Sequence, residues 1–254
     1  VTWQQALAHT LPPRASLVLR ARYGNSREPE LDLLPRLVRP GDTAIDIGAH
    51  KGVYTYWMSR LVGAAGRVVA YEPQPDLARF LRAGLSGPRL RNVELRTVAL
   101  SDSAGVARLS IPVEGSQRVI GQATLEAGDA SAVAVDVETR RLDDESLQAP
   151  VGLIKCDVEG HELKVLRGGA KLLDDQRPHL LVEVEYRHAG VAVIDTFDLL
   201  ASIGYRAWYR DTEGKLHDLP SDWRSRPESL NSLSPGAYTN NFLFVHADRQ
   251  QSVS

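Results

Sequence analysis

Two rhythms of apolar positions alternate between about residues 43 and 100. Short apolar runs, Ala44 to Ile47 interrupted only by Asp46 and then Arg67 to Tyr71 (RVVAY), have the pattern of strands in a parallel sheet, the second continuous enough to be buried on both faces. Between and after them, Val53, Trp57 and Leu61 recur every four residues, and Leu77, Phe80, Leu81 and Leu85 fall at i, i+3, i+4 and i+8. Such spacing draws one apolar stripe on a helix, the stripe that packs on a sheet. Asp76 reads as the N-cap of the second helix, and Val93 to Leu100 supplies a third strand. Strand, helix, strand, helix, strand predicts βαβ units with right-handed crossovers, hence a three-layer α/β fold.

The rhythm changes at 104–142, where Val106, Leu109, Ile111 and Val113, and later Val133, Val135 and Val137, alternate with polar residues. Period two with glycine punctuation predicts an antiparallel β insertion between the third and fourth parallel strands. Leu153 to Cys156 resumes the buried strands. Leu163, Leu166, Ala170 and Leu173 mark a helix interrupted by Gly168-Gly169, and Leu180 to Val184 a fifth strand. Ile194 to Ala201 is a further helix, after which Tyr205 to Tyr209 and Phe242 to Val245 are expected to pair as a terminal antiparallel hairpin. The stretch 210–240 between them reads as a long loop, of the kind that serves as a lid or substrate loop. At the other end, residues 1–40 form a cap segment: a short helix, edge strands around Leu17 to Leu19, and a helix through Leu31, Leu34 and Val38 that Pro35 kinks. The expected organisation is therefore a cap at 1–40, one domain at 41–246 and a tail at 247–254.

Composition changes this picture little. Hydrophobic residues are 43% and charged residues 24% of the 254, enough apolar material for a core without disulfides or metal. A formal net charge of −2 gives no support for bulk nucleic-acid binding. The single cysteine, Cys156, suits a reducing compartment. No apolar run approaches a membrane span, and no secretory pattern opens the chain, so the expected location is cytoplasmic.

The candidate chemistry starts at Thr43 to Gly52 (TAIDIGAHKG), a strand running into a glycine-bearing turn and then a helix. This is the place where open α/β sheets bind nucleotide-like ligands. Gly48-Ala49-His50-Lys51-Gly52 lacks the first glycine pair of GxGxxG, and the phosphate-cradling GxxxxGK[ST] is absent. A nucleoside without pyrophosphate needs neither. Glu72, at the end of the second strand, stands where a carboxylate accepts both hydrogen bonds of a ribose diol. The plain structural alternative is a surface acid before Pro73.

Asp46, Gly48, Gly52 and Glu72 together resemble the S-adenosylmethionine site of Rossmann-like methyltransferases. Ala99-Leu100-Ser101-Asp102, the run Ile154 to Glu162 (IKCDVEGHE), Val165 to Gly169 (VLRGG) and Asn241 to Val245 (NFLFV) sharpen the likeness, over about residues 28–246, to the FkbM family of S-adenosylmethionine-dependent methyltransferases. The resemblance implies a class I fold with a seven-stranded, mostly parallel sheet, helices on both faces and one antiparallel strand at the end. It implies methyl transfer to a hydroxyl of a sugar, glycoside or other natural product. It also implies cofactor contacts from Asp46, Gly48, Ala49 and Gly52 on the methionine side, Glu72 on the ribose, and Ser101 and Asp102 on the adenine side. His50 and Lys51 depart from the family pattern, which often has asparagine followed by an apolar residue.

Alcohols are weak nucleophiles, so their methylation calls for a positioned base. Asp157, Glu159, His161 and Glu162 follow the fourth strand. His161, with Asp157 to orient and polarise it, is the first candidate base, with Glu159 beside them; the plain reading of His161 is a helix N-terminal residue that only orients backbone. Two further readings stay open. One is a magnesium-assisted O-methyltransferase using Asp157 and Glu183, against a metal-free site. The other is an NAD(P)-dependent oxidoreductase or epimerase on the same sheet. Lys155 is expected to pair with one of the acids, and His179, His188 and His217 read as surface or loop residues. The partner is a small-molecule or glycan acceptor, with no nucleic acid and no membrane.

Overall fold

The computed structural model describes residues 11–23, 28–114, 117–118, 120–126, 132–147, 150–236 and 238–252. Residues 1–10 of the cap segment lie outside them. In chain order the elements are helix α1 (Pro13–Tyr23), a 3-10 turn (Pro29–Leu33) running into helix α2 (Leu34–Leu37), strand β1 (Thr43–Ile47), helix α3 (Val53–Val62), strand β2 (Arg67–Tyr71), helix α4 (Pro75–Leu85) and strand β3 (Val93–Arg96). Strands β4 (Ala99–Leu100), β5 (Gly105–Ile111), β6 (Val113–Glu114), β7 (Gln117–Arg118), β8 (Val133–Arg140) and β9 (Val151–Cys156) follow. The remainder comprises α5 (Glu162–Gly168), α6 (Ala170–Gln176), β10 (His179–Glu183), α7 (Tyr186–Ala189), α8 (Val193–Ser202), β11 (Tyr205–Arg210), β12 (Leu216–Asp218) and β13 (Asn241–His246). The chain divides into two units, Val1–Ala99 with Leu147–Lys155, and Leu100–Ser146 with Cys156–Ser254.

In the first unit the strand order is β9-β1-β2-β3. β1 pairs parallel with β2, and β2 with β3, in a register that sets Asp46 beside Ala70 and Ile47 beside Tyr71. Every residue of β1 is buried, as its apolar run requires. Leu17, Ala21, Ala49, Tyr56, Ala70, Leu81, Leu85 and Leu90 form one core cluster, in which each fully buried aliphatic side chain contributes about 1.5–3 kcal/mol. Leu17 to Leu19 lie in α1, not in edge strands. Leu17 and Ala21 are four apart and both buried, so a helix puts them on one face, and Trp57 Nε1 fixes that helix by donating to the Ala21 carbonyl at 2.8 Å. Asp76 is not the N-cap either. Gln74 holds that position and Pro75, whose fixed φ suits a first helical residue, begins the helix.

Gly52 is required by its surroundings. Its φ is +79°, and a Cβ there would sit 2.8 Å from Leu81 Cδ2 and 3.2 Å from Leu17 Cδ1. The glycine turn is thus pressed directly onto the core cluster, which holds it in place.

In the second unit β12-β11-β13-β10 is the strand order, with β13 antiparallel to both β10 and β11. The expected pairing of Tyr205 to Tyr209 with Phe242 to Val245 is present. The strands in these two orders number eight, where seven are expected. The additional one is β12, in the stretch read as a loop, and it pairs with β11 through Trp208 opposite Asp218. Its three residues are too few to show a period in the sequence. Phe197 of α8 packs on Phe242, Phe244 and Trp223 at centroid distances of 5.2, 5.1 and 4.7 Å. The antiparallel insertion is built on β5 and β8, paired from Gly105 opposite Thr139 to Ile111 opposite Val133. The expected third strand breaks after Arg96, and Ala99–Leu100 joins the smaller sheet of β4, β8 and β5.

Gly168-Gly169 divides the helix after the fourth strand into α5 and α6. A Cβ on Gly168 would lie 2.0 Å from the Ser101 carbonyl oxygen, so only glycine lets α5 approach that backbone. His179 is buried, 5% exposed at the start of β10, correcting its reading as a surface residue: it opens a strand whose first four residues are all buried.

Candidate functional site

The sequence-derived residues of the first unit gather at the carboxyl ends of β1 and β2. Asp46 and Glu72 are each 2% exposed, and a carboxylate so buried has to be satisfied by donors. Thr55, from the first turn of α3, donates its hydroxyl to Asp46 Oδ2 in a close contact. Glu72 is gripped by the backbone: the His50 N–H reaches Oε2 at 2.8 Å and the Gln74 N–H reaches Oε1 at 2.9 Å. His50 has φ +48°, an uncommon conformation for a residue with a side chain. That twist aims its amide at Glu72, so the departure at position 50 leaves the grip intact, because the donor is backbone. The Gly48 and Ala49 N–H groups both donate to the Tyr71 carbonyl, at 3.0 and 2.9 Å, tying the turn to the end of β2. Burial and the nearby Arg20 lower the Lys51 pKa. Lys155 is 1% exposed, with Nζ 5.1 Å from the centre of the Tyr54 ring.

The second unit gathers the rest. Ser101 is buried and its N–H donates to the Arg140 carbonyl at 2.9 Å; Asp102 is exposed, its Oδ1 3.4 Å from Ser101 Oγ and 3.3 Å from Ser103 Oγ. After β9 the chain turns through Asp157 to His161, and Glu162 Oε1 accepts the Val158 and Gly160 N–H groups at 3.2 and 3.0 Å. Glu162 is buried, and desolvation, outweighing those two hydrogen bonds, pushes its pKa up to about 7. Glu159 has φ +51°, and its Oε2 lies 3.0 Å from His188 Nδ1. Burial first, then the charges of Asp157 and Glu185, push Glu159 up to about 8, while burial lowers His188.

His161, the N-cap of α5, is 4% exposed. Its Nδ1 lies 2.6 Å from Glu126 Oε1 and its Nε2 2.9 Å from Ser101 Oγ. The carboxylate seated on this imidazole is thus Glu126, from the insertion. Nothing in the local pattern singled it out, since it is distant in sequence and reaches the site only through the fold. Thr124 beside it donates to the Glu159 carbonyl at 2.7 Å. Glu183 is held by the Asn240 amide in a close contact, and Glu185 by Arg187 likewise. Among the described residues no group of three or more His, Cys, Asp and Glu is placed to hold a metal ion, and no helix is long and apolar enough to cross a membrane.

A buried acid ending the second strand, a core-pressed glycine turn and an acidic turn after the fourth strand define a Rossmann-like class I methyltransferase architecture. The Methyltransferase FkbM domain model matches residues 46–207, and the chain belongs to this family of S-adenosylmethionine-dependent methyltransferases. Methyltransferase sdnD of Sordaria araneosa is 30% identical over 154 residues, covering 49% of this chain and 59% of sdnD. An FkbM methyltransferase structure from Methylobacillus flagellatus aligns with 95% of this chain and 57% of its own at 17% identity, TM-score 0.50. The O-methyltransferase of Bacillus cereus, solved with S-adenosylhomocysteine, aligns with 92% of this chain and 90% of its own at 13% identity, TM-score 0.50. The chain spans less than two thirds of the length of sdnD and of the Methylobacillus protein.

Proposed function

We propose that this protein transfers the methyl group of S-adenosylmethionine to a hydroxyl of a small-molecule acceptor, a sugar, glycoside or natural product. The first unit fits the nucleoside. Glu72 is a buried carboxylate whose two oxygens are each fixed by a backbone N–H at the end of β2, the place of a ribose diol, and the sequence lacks the pyrophosphate cradle that NAD would need. The bound sulfonium supplies a methyl carbon already activated by positive charge, and the protein must align an oxygen with it and take that oxygen's proton.

One observation carries the choice of acceptor. Burial, with the charges of Asp157 and Glu185, pushes Glu159 up to about 8, and the carboxyl sits against His188. An alcohol keeps its proton near neutrality and needs a base whose pKa is close to working pH. Among the residues of the acidic turn, Glu159 fits that task, with a side chain 18% exposed. Asp157 raises its basicity through charge. His161, with both ring nitrogens engaged, supports the turn rather than meeting the acceptor.

The test is a panel of acceptors carrying hydroxyl, amine or carboxyl groups, together with a ribosomal RNA fragment, incubated with labelled S-adenosylmethionine. A methoxy product from a hydroxyl acceptor is expected, unaffected by EDTA. Product from the amine or RNA arm alone overturns the hydroxyl assignment, and loss of activity with EDTA that Mg²⁺ restores puts a metal in its place.

A further inference from the structure

The strand ends opposite Asp46 and Glu72 are hollow as well. A cavity of about 730 Å³ opens there, wholly within the first unit, and the first residues of β1, β2 and β3 (Thr43, Arg67 and Val93) line it. Arg60 and Arg91 line it too, and its one acid is Glu94. That acid is already engaged: it accepts from Arg67 in a close contact and from Arg96 Nε at 2.8 Å. The bond to Arg96 above all holds its carboxyl below the usual range. Arg60, in the last turn of α3, and Arg91, shortly before β3, have no ion pair or hydrogen bond among the described residues. The lining thus sets three positive charges against one negative, on a chain of net charge −2. Like charges gathered in a recess repel one another and draw a counter-ion.

One wall is the carboxyl end of α3, whose bare carbonyls would oppose an anion. They are covered instead. Asn92 Nδ2 donates to the Ser59 and Gly63 carbonyls at 3.0 and 2.8 Å, and its Oδ1 accepts from Ser59 Oγ at 2.6 Å. The Val62 carbonyl accepts the Gly41 N–H at 2.9 Å. What the wall leaves for a ligand is guanidinium.

We propose that this cavity binds a small oxyanion carrying two or more phosphate groups, held by Arg60 and Arg91, with Arg67 contributing from β2. A guanidinium offers phosphate oxygens paired, planar donors, and more than one guanidinium suits more than one phosphate. The five buried residues of β1 separate this end from the Asp46 end by about 13 Å, so the two sites fill independently.

The experiment is calorimetric titration of the full chain with inorganic triphosphate, at about physiological ionic strength and with S-adenosylhomocysteine in excess. Binding to one site is expected. R60A and R91A should each weaken it by about tenfold or more, the worth of a charge-assisted hydrogen bond, with the urea midpoint unchanged because both side chains are exposed. R79A is the control: it removes an exposed charge from α4, in the same unit but outside the cavity, and should leave the affinity as it is. Absence of binding overturns the proposal, as does an R79A loss equal to that of R91A, which would mark diffuse attraction to the surface. Displacement of triphosphate by S-adenosylhomocysteine overturns it too, by placing the anion at the other end of the strands. So does an RNA fragment that needs Arg60 and Arg91 for binding while triphosphate does not bind.

Discussion

Glu159 Oε2 lies 3.0 Å from Nδ1 of His188, with Glu159 held at φ +51°. Burial, then the charges of Asp157 and Glu185, raise the carboxyl to about 8, and burial lowers the imidazole. A non-glycine residue at positive φ costs on the order of 1–3 kcal/mol and persists only where the surroundings enforce it. Thr124, bonded to the Glu159 carbonyl at 2.7 Å, is part of that enforcement.

A base that must be ionised to work gives a rate that climbs with pH. For this protein kcat/KM is expected to rise tenfold per pH unit on the acid side and level off above about 8. E159Q should lose about 10²–10⁴ in rate and with it this limb of the profile. A variant that keeps the parent's profile removes Glu159 from the role of base.

Glu72 should be intolerant of its closest isostere. Both of its oxygens accept from backbone N–H groups, those of His50 and Gln74, so the amide nitrogen of E72Q faces a donor whichever way it is placed. Leaving a buried N–H unsatisfied costs about 1–3 kcal/mol. The expected result is a lower urea midpoint together with a loss of S-adenosylhomocysteine affinity of about tenfold or more. Undiminished affinity would take Glu72 out of the cofactor site.

At Gly52 the expectation concerns stability alone. G52A places a methyl 2.8 Å from Leu81 Cδ2 at φ +79°, combining overpacking with backbone strain, at a cost of about 1–3 kcal/mol. Thermal unfolding should show a fall in Tm of several degrees, about 2–4 °C per kcal/mol for a chain this size. An unchanged Tm would mean that the turn is not pressed on the core.

The legible part of this protein is that in which local pattern and fold agree. The runs at Ala44 to Ile47 and Arg67 to Tyr71 became β1 and β2 because buried parallel strands are apolar throughout, and Glu72 followed from its place at a strand end. The residues after β9 were legible as a cluster, since they are contiguous. The acid on His161 was not, because Glu126 is 35 positions away and its segment is brought back by contacts that leave no local pattern, Thr124 bridging to Ser110 and bonding the Glu159 carbonyl. β12 was missed because three residues carry no period, and α1 was read as strand because an apolar triplet fits either element until its packing partner is known. Asp76 failed as a cap because Pro75 competes for the helix start with a stronger conformational preference.

Glu162 makes the stability of the fold depend on pH, in a direction opposite to that of a salt-bridged acid. Its pKa in the folded protein is about 7, raised from an ordinary 4.5 by burial. Between those values the folded state holds a proton that the unfolded chain has released. The stabilisation is complete below the unfolded pKa and is lost as pH rises through about 7. Glu159, raised to about 8, adds to the same decline, so only the difference between parent and variant isolates Glu162. E162Q keeps a carbonyl oxygen for the Val158 and Gly160 N–H groups and has nothing to ionise. Urea unfolding at pH 5.5 and 8.5 should therefore show the parent losing on the order of 2–3 kcal/mol more than E162Q over that interval. Equal losses in the two proteins would place the charge of Glu162 in water, contrary to its burial.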